Sequence, residues 1–139
     1  MISVVHLSSK DRNIIREFLN NAGSSLTSFR YFDSRPFEIL DVHKATFMLL
    51  SEDKPVCYGH LDFEDDRVWL GLAVIDSLQG FGLGKLMMQL LLSEAKLQKI
   101  SQVWLSVDNE NTVAIGLYDK LGFKQISIND RYRLLRIDL

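Results

Sequence analysis

Val74-Ile75-Asp76-Ser77-Leu78-Gln79-Gly80-Phe81-Gly82-Leu83-Gly84-Lys85 is the stretch on which the fold turns. An apolar run from Val68 to Ile75 leads into it, and apolar positions at helical spacing from Leu83 to Leu97 lead out. The segment therefore reads as strand, glycine-rich loop and helix N-terminus. Three glycines at alternating positions leave the main chain bare and open to dihedrals that other residues avoid. A helix N-terminus adds unpaired N–H groups and the positive end of the helix dipole. Together these predict an anion site, most naturally for phosphate. Lys85 puts a cation in the first helical turn, against the dipole. A bound anion nearby accounts for that, and so does plain solvation.

Working outward, downstream first, Leu83, Leu86, Met87, Leu90 and Leu91 form a helical stripe that Met88 and Leu92 widen, and Val103 to Val107 follows as a strand. Strand, helix, strand at this spacing is a parallel crossover unit, with the glycine loop at the C-terminal end of its first strand. Asp108-Asn109-Glu110-Asn111 is a run of cap residues. Ala114, Leu117, Tyr118 and Leu121 then recur at helical spacing, Gly122 offers a left-handed C-terminal cap, and Phe123 can pack back on the helix. Gly116, inside this helix, predicts a close neighbour, either protein or ligand. Gln125 to Ile128 and Tyr132 to Ile137 read as a closing hairpin through Asn129-Asp130.

Upstream, Arg67 to Ile75, Val56 to Phe63 and Ala45 to Leu50 are strands joined by turns short enough to require an antiparallel meander. The first of these, Arg67 to Ile75, is apolar on both faces, the mark of a central strand. On the middle one, Tyr58, His60, Asp62 and Glu64 share a face by alternation. Ser24 to Phe37 is dense in aromatics, with Arg30 and Arg35 interleaved, and reads as a short second helix ended by Pro36. Its aromatic stripe suits packing on the sheet; alternatively Arg30, Tyr31 or Arg35 faces a substrate. Before it, Ser8-Ser9 caps a first helix, whose apolar positions are Ile14, Ile15, Phe18 and Leu19, after an opening strand Ile2 to Leu7.

The 139 residues make one domain, 1–139, with enough chain for a core. The composition, 47% hydrophobic and 24% charged with a net charge of -2, offers no basic footprint for nucleic acid. The lone Cys57 cannot pair internally, and it sits in an apolar strand pattern. Neither a signal peptide nor a membrane-length apolar run is visible. These features fit a cytoplasmic protein with no membrane partner. No Cys/His spacing suits a metal, and His6 and His43 fall in no pattern that gives them partners.

The glycine loop fails two motif tests. A dinucleotide fingerprint starting at Gly80 would need its third glycine where Lys85 stands, and a nucleoside-triphosphate loop would need glycine at Gln79 and Ser or Thr at Leu86. What remains is Gln79-x-x-Gly82-x-Gly84, joined downstream by Asn111-x-x-Ala114-x-x-x-Tyr118-x-x-x-Gly122-Phe123. Both resemble motifs of the GNAT superfamily of acetyl-CoA-dependent N-acetyltransferases, and the order of elements resembles theirs along essentially the whole chain. The resemblance implies an α/β (α+β) fold with a mixed, mostly antiparallel central sheet of about seven strands and about four helices covering both faces. It also implies acetyl-CoA as cosubstrate, with no metal. The backbone of Gln79, Gly80, Phe81, Gly82, Leu83, Gly84 and Lys85 would hold the pyrophosphate. The backbone of Ala73, Val74 and Ile75 would pair with the pantetheine arm as an added strand. Asn111 would touch the cofactor, and the Tyr118 hydroxyl would lie by the thioester sulfur.

The implied chemistry is direct attack of a neutral primary amine of a small molecule on the acetyl carbonyl in a ternary complex. Tyr118 would act as general acid to the departing thiolate. An alkyl amine is largely protonated at neutral pH, so a base is useful. His60, with its pKa near working pH, and Asp62 beside it are the candidates; the alternative is that they belong to a solvated strand face. Arg30, Tyr31 and Arg35 would bind the acceptor, for instance an amino sugar linked to a nucleotide. A non-catalytic acyl-CoA-binding or interaction domain on the same fold is the alternative function, and the last hairpin could pair across a homodimer edge.

Overall fold

In a computed structural model that describes residues 1–27 and 29–139, one seven-stranded sheet carries the chain. Its strands are β1 (Ile2–His6), β2 (Ala45–Ser51), β3 (Lys54–Glu64), β4 (Arg67–Val74), β5 (Gln102–Asp108), β6 (Lys124–Ile128) and β7 (Tyr132–Asp138). They lie in the order β1-β2-β3-β4-β5-β7-β6. Only β4 and β5 run parallel; every other neighbouring pair is antiparallel. Three α-helices join them: α1 (Arg12–Asn21), α2 (Leu83–Leu97) and α3 (Thr112–Lys120). This is the mixed, mostly antiparallel sheet covered on both faces that the order of elements predicts.

The helical region expected between residues 24 and 37 is realised differently. It is a string of short 3-10 turns, Gly23–Thr27, Tyr31–Asp33 and Phe37–Val42. Aromatic packing holds it in place of helical repeats: Phe29, Tyr31, Phe32 and Phe37 pack on one another and on Tyr58, edge to face except for the tilted Phe29–Tyr58 pair. Such contacts are local and irregular, so no helical period is needed to bury the rings. Ser8 caps a preliminary 3-10 turn, Ser9–Asp11, through a capping box with Asp11, and α1 begins one residue later.

Two cores result. On one face α1 and the aromatic segment cover Met48, Tyr58 and Ala73. On the other, α2 and α3 cover Cys57, Leu61 and Leu70. The second core is tight enough to require glycine on β3. A Cβ at Gly59 would lie 2.5 Å from Met87 Cγ and 3.0 Å from Leu91 Cδ1. At the lower end of the sheet, the Arg67 guanidinium lies 3.9 Å from the Trp104 ring centroid, and Arg136 covers Trp104 at 5.3 Å. These stacks brace the point where β4 meets β5. Among the described residues no helix is long and apolar enough to cross a membrane.

Gly59→Ala should destabilise the chain by about 1–3 kcal/mol, the usual cost of overpacking a dense core. Chemical denaturation of Gly59→Ala, Met87→Ala and the double variant checks it. The two costs should be less than additive, and additive costs would show that crowding against Met87 is not the cause.

Candidate active site

The site begins where the sheet comes apart. β4 keeps register with β3 from Arg67↔Glu64 to Val74↔Cys57, but it meets β5 at one pair, Trp69↔Trp104. Beyond that pair the two strands diverge around a cavity of about 920 Å³. The Ile75 N–H bonds Val56 O at 3.0 Å. By antiparallel alternation, Ala73 and Gly71 also face β3 with their main-chain groups, whereas Leu72 and Val74 turn theirs toward the gap. Of the three residues expected to offer backbone to an added strand, Val74 therefore turns its main-chain groups toward the gap and Ala73 turns its toward β3. Ile75 packs into the cores and is off the cavity wall. The Val74 carbonyl already accepts from Ser25 Oγ and, at 3.4 Å, from Gln79 Nε2. Its N–H and the main chain of Leu72 remain for a ligand.

At the upper end of the gap lies the glycine loop. Gly80 and Gly82 adopt φ of +87° and +85°, where a side chain would be strained. Gly82 stands at the N-cap of α2 with no side-chain cap, so the first helical N–H groups point outward unpaired. Gly84 has no such φ. Its bare Cα faces Leu117 instead, which a Cβ would meet at 3.5 Å. Phe81 is 75% exposed and is not on the cavity wall, unlike Gln79, Gly80 and the residues from Gly82 to Lys85.

A staple missing from the sequence reading holds this loop. The Asp76 carboxylate accepts from the N–H and hydroxyl of Ser24, both at 2.6 Å, and from the N–H of Ser25 at 2.9 Å, while the one Ser25 hydroxyl proton is shared between Asp76 Oδ1, at 2.9 Å, and the Val74 carbonyl. Gln79 Nε2 reaches Ser25 Oγ at 3.0 Å. The hydrogen bonds from Ser24, then Ser25, hold the Asp76 pKa below its usual value. The partners lie some fifty residues away in the chain, so local spacing carries no trace of them.

The lower part of the cavity is lined by the polar face of β3 and by the aromatic segment. His60 and Asp62 are not on a solvated face: they are 2% and 4% exposed, beneath Phe29 and Tyr31. Tyr31 donates its hydroxyl proton to Asp62 Oδ2 at 2.6 Å. His43 Nε2 lies 2.7 Å from the same phenol, and His43 Nδ1 lies 2.8 Å from Thr46 Oγ1. Burial, then the hydrogen bond to Asp62, pushes the Tyr31 pKa well up; burial pulls that of His43 down against the opposing charge of Asp62. His43, which has no partner pattern in the sequence, is thus tied into the network. Tyr58 Oη lies 2.8 Å from His60 Nδ1.

Arg30 and Arg35 line the cavity but are engaged. Arg30 faces Asp108 at 3.7 Å, and Arg35 stacks on Tyr31 at 4.2 Å while pairing with Glu64 at 3.2 Å. Across the gap, α3 supplies Tyr118 and its N-cap Asn111. Asn111 Oδ1 accepts from the Ala114 N–H at 3.3 Å; the residue lines the cavity, and its amide NH₂ donates to no described residue. Tyr118 is 7% exposed and lines the wall. Burial, and secondarily Cys57, raises its pKa, so the phenol keeps its proton. Burial likewise pushes the Cys57 thiol up to about 12. Gly116 is exposed and no described atom would touch a Cβ there, so no protein neighbour accounts for it. No cluster of three His, Cys, Asp or Glu placed to hold a metal occurs among the described residues.

A sequence-family model described as "Acetyltransferase (GNAT) family" matches residues 12–123. The chain is 37% identical over 68 residues to the [ribosomal protein bS18]-alanine N-acetyltransferase of Haemophilus ducreyi, an alignment that takes in 49% of this chain and 47% of the relative. It is 42% identical over 65 residues to a probable spermine N(1)-acetyltransferase of Bacillus subtilis subsp. natto, covering 45% of this chain and 43% of that one. The matched stretch thus spans about half the length of these curated relatives. Among solved structures, the paia N-acetyltransferase of Thermoplasma acidophilum in complex with coenzyme A superposes with a TM-score of 0.79 at 16% identity, over 100% of this chain and 99% of that one.

Asp76→Asn should loosen the loop. A carboxyl with a depressed pKa contributes stability that is fully present above the unfolded value of about 3.9 and is lost as pH falls through the lower folded value. Protection of the Ser24 and Ser25 amides, taken against the intrinsic exchange rate at each pH, should therefore fall as the wild type is acidified below about pH 4. In Asp76→Asn that protection should already be low at neutral pH. Unchanged exchange in the variant would show that the carboxylate does not hold these turns.

Proposed function

Since the chain belongs to the acetyltransferase (GNAT) family, we propose that it moves the acetyl group of acetyl-CoA to a primary amine by direct attack within a ternary complex. The observation that carries this reading is the open edge of β4, which runs from the sheet's single parallel pair up to the uncapped N-terminus of α2. An acyl-CoA has matching parts in matching order. Its diphosphate suits the bare N–H groups of the glycine loop. Its amide-bearing arm suits the main chain of Leu72 and Val74, as an extended ligand adding to a sheet edge. Its thioester would then fall in the lower cavity, within reach of Tyr118 on one wall and of His60 and Asp62 on the other. Asn111 would add a hydrogen bond through its free amide.

The Tyr118 phenol suits the leaving group. It retains its proton at working pH and can pass it to the departing thiolate. At the acceptor end Asp62, Glu64 and Asp108 offset Arg30 and Arg35, whose charges are already paired. A protonated amine fits this balance better than an anionic amino sugar bound to a nucleotide. The names of the relatives suggest the first acceptors to try: a peptide beginning with alanine, and spermine.

Thiol release from acetyl-CoA with a panel of amines tests the proposal. Turnover should appear with at least one cationic amine. Tyr118→Phe should lower kcat by about 10²–10⁴-fold while coenzyme A affinity stays within a few-fold. Coenzyme A binding without turnover on any amine would favour a non-catalytic acyl-CoA-binding domain.

A further inference from the structure

His60 and Asp62 share one expected role, that of proton acceptor, but their surroundings give them different ones. Tyr58 and His60 are both enclosed, at 0% and 2% exposure, with Tyr58 Oη 2.8 Å from His60 Nδ1. Among the described residues the phenol has no other hydrogen-bond partner, and a buried hydroxyl proton left unpaired is costly. The phenol therefore donates and Nδ1 accepts. In a neutral imidazole that leaves the one ring proton on Nε2. Burial, then the neighbouring His43 and Arg35, pull the His60 pKa well below 6.5, so the neutral ring is the resident form. Gly71 on β4 stands directly opposite His60. A Cβ there would lie 2.4 Å from Nε2 and 2.6 Å from Cε1. Glycine lets the ring lean across β4 toward the gap, where it forms part of the cavity wall.

The hydrogens around Asp62 run the other way. Tyr31 has one hydroxyl proton and gives it to Asp62 Oδ2. The hydrogen bond between Tyr31 and His43 must then be donated by His43 Nε2, and His43 Nδ1 accepts from the Thr46 hydroxyl. From Thr46 through His43 and Tyr31, each donor points toward the carboxylate. Asp62 Oδ1 has no partner among the described residues, and the side chain lines the cavity.

We propose that His60 serves as a neutral hydrogen-bond donor to the acetyl carbonyl oxygen through Nε2–H, while Asp62 Oδ1 receives the acceptor's proton; this rests on the acetyl-transfer reading above. The acceptor ammonium gives one proton to Oδ1. The freed nitrogen pair forms the C–N bond as the carbonyl pair moves onto oxygen, where Nε2–H holds it without transferring its proton. That pair returns as the C–S bond breaks. A second N–H proton passes to the departing sulfur through the Tyr118 hydroxyl, and Asp62 releases the first to solvent. A preorganised donor at a developing oxyanion needs no reorganisation during the reaction. The titratable or charged groups facing the imidazole are Tyr58 and Asp62 on β3, and Tyr31, Arg35 and His43 from the preceding segment.

Nitrogen NMR of histidine-labelled wild-type protein, with steady-state kinetics on the variants, tests this. The His60 ring should show a proton on Nε2 and no titration between about pH 5.5 and 8.5. Tyr58→Phe should mix its tautomers. His60→Ala should lower kcat by about 10²–10³-fold. His60→Gln, whose amide N–H can reach the same position, should recover at least tenfold of that loss. Asp62→Asn should lower kcat by about 10²–10⁴-fold while the His60 ring keeps its proton on Nε2. A titrating or Nδ1-protonated ring, or a kcat indifferent to His60 or to Asp62, overturns this assignment alone. Wild-type protein that binds coenzyme A but acetylates no amine overturns the acetyl-transfer reading and this role with it.

Discussion

Everything about the cavity depends on one interrupted ladder. β4 spends one edge fully on β3 and pairs with β5 at a single position, so most of its second edge above Trp69 is left facing a gap. A buried main chain cannot leave such groups unpaired without cost, and the cavity is where they meet solvent or a ligand instead. The parallel crossover makes this possible. Fifteen residues of α2 lie between the two strands in sequence, so no tight turn forces them to stay paired along their length. The stack of Arg67 and Arg136 on Trp104 holds the lower end closed while the upper end stands open.

The two walls of the gap come from distant parts of the chain and are joined by few contacts. Asp76 ties the turn after α1 to the start of the glycine loop. Arg30 and Asp108 link the aromatic segment to the tip of β5. Both links are exposed ion pairs or hydrogen bonds, individually weak in water. The cores on either face are rigid by comparison, with Ile15, Phe18, Met87 and Leu91 fully enclosed. The molecule thus has a stiff floor and lightly tethered rims.

The fold was largely legible because its signals are local. The strands from Ala45 to Ile75 alternate or run apolar as sheet strands must. The two glycine-bearing motifs mark the ends of α2 and α3, and Gly122 takes the left-handed conformation its position predicts, φ +102°. The aromatic segment was not legible as structure. Its order comes from ring packing on Tyr58 and His60 rather than from a backbone period. The polar site was legible in part. Alternation places Tyr58, His60 and Asp62 on one face, but nothing local says that residues some thirty positions earlier cover that face and bury it. His43 and Asp76 escaped for the same reason: each is defined by partners far away in the chain or in a segment without regular structure. Backbone direction was also out of reach. Which of Ala73, Val74 and Ile75 faces the gap depends on the phase of the β3–β4 ladder, which residue types do not encode.

An unpaired strand edge is ordinarily a hazard, since it invites the edge of another protein and so templates aggregation. Here the exposed row of β4 sits inside a cleft of about 920 Å³, flanked by β5 on one side and roofed by the aromatic segment and α3. A neighbouring protein's sheet would have to bring the side chains of both its faces past these walls, whereas a single slender chain of atoms need not. The same walls that shape a binding groove therefore act as a sieve against misassembly. Mutations that widen the slot would be expected to harm solubility before they harm folding.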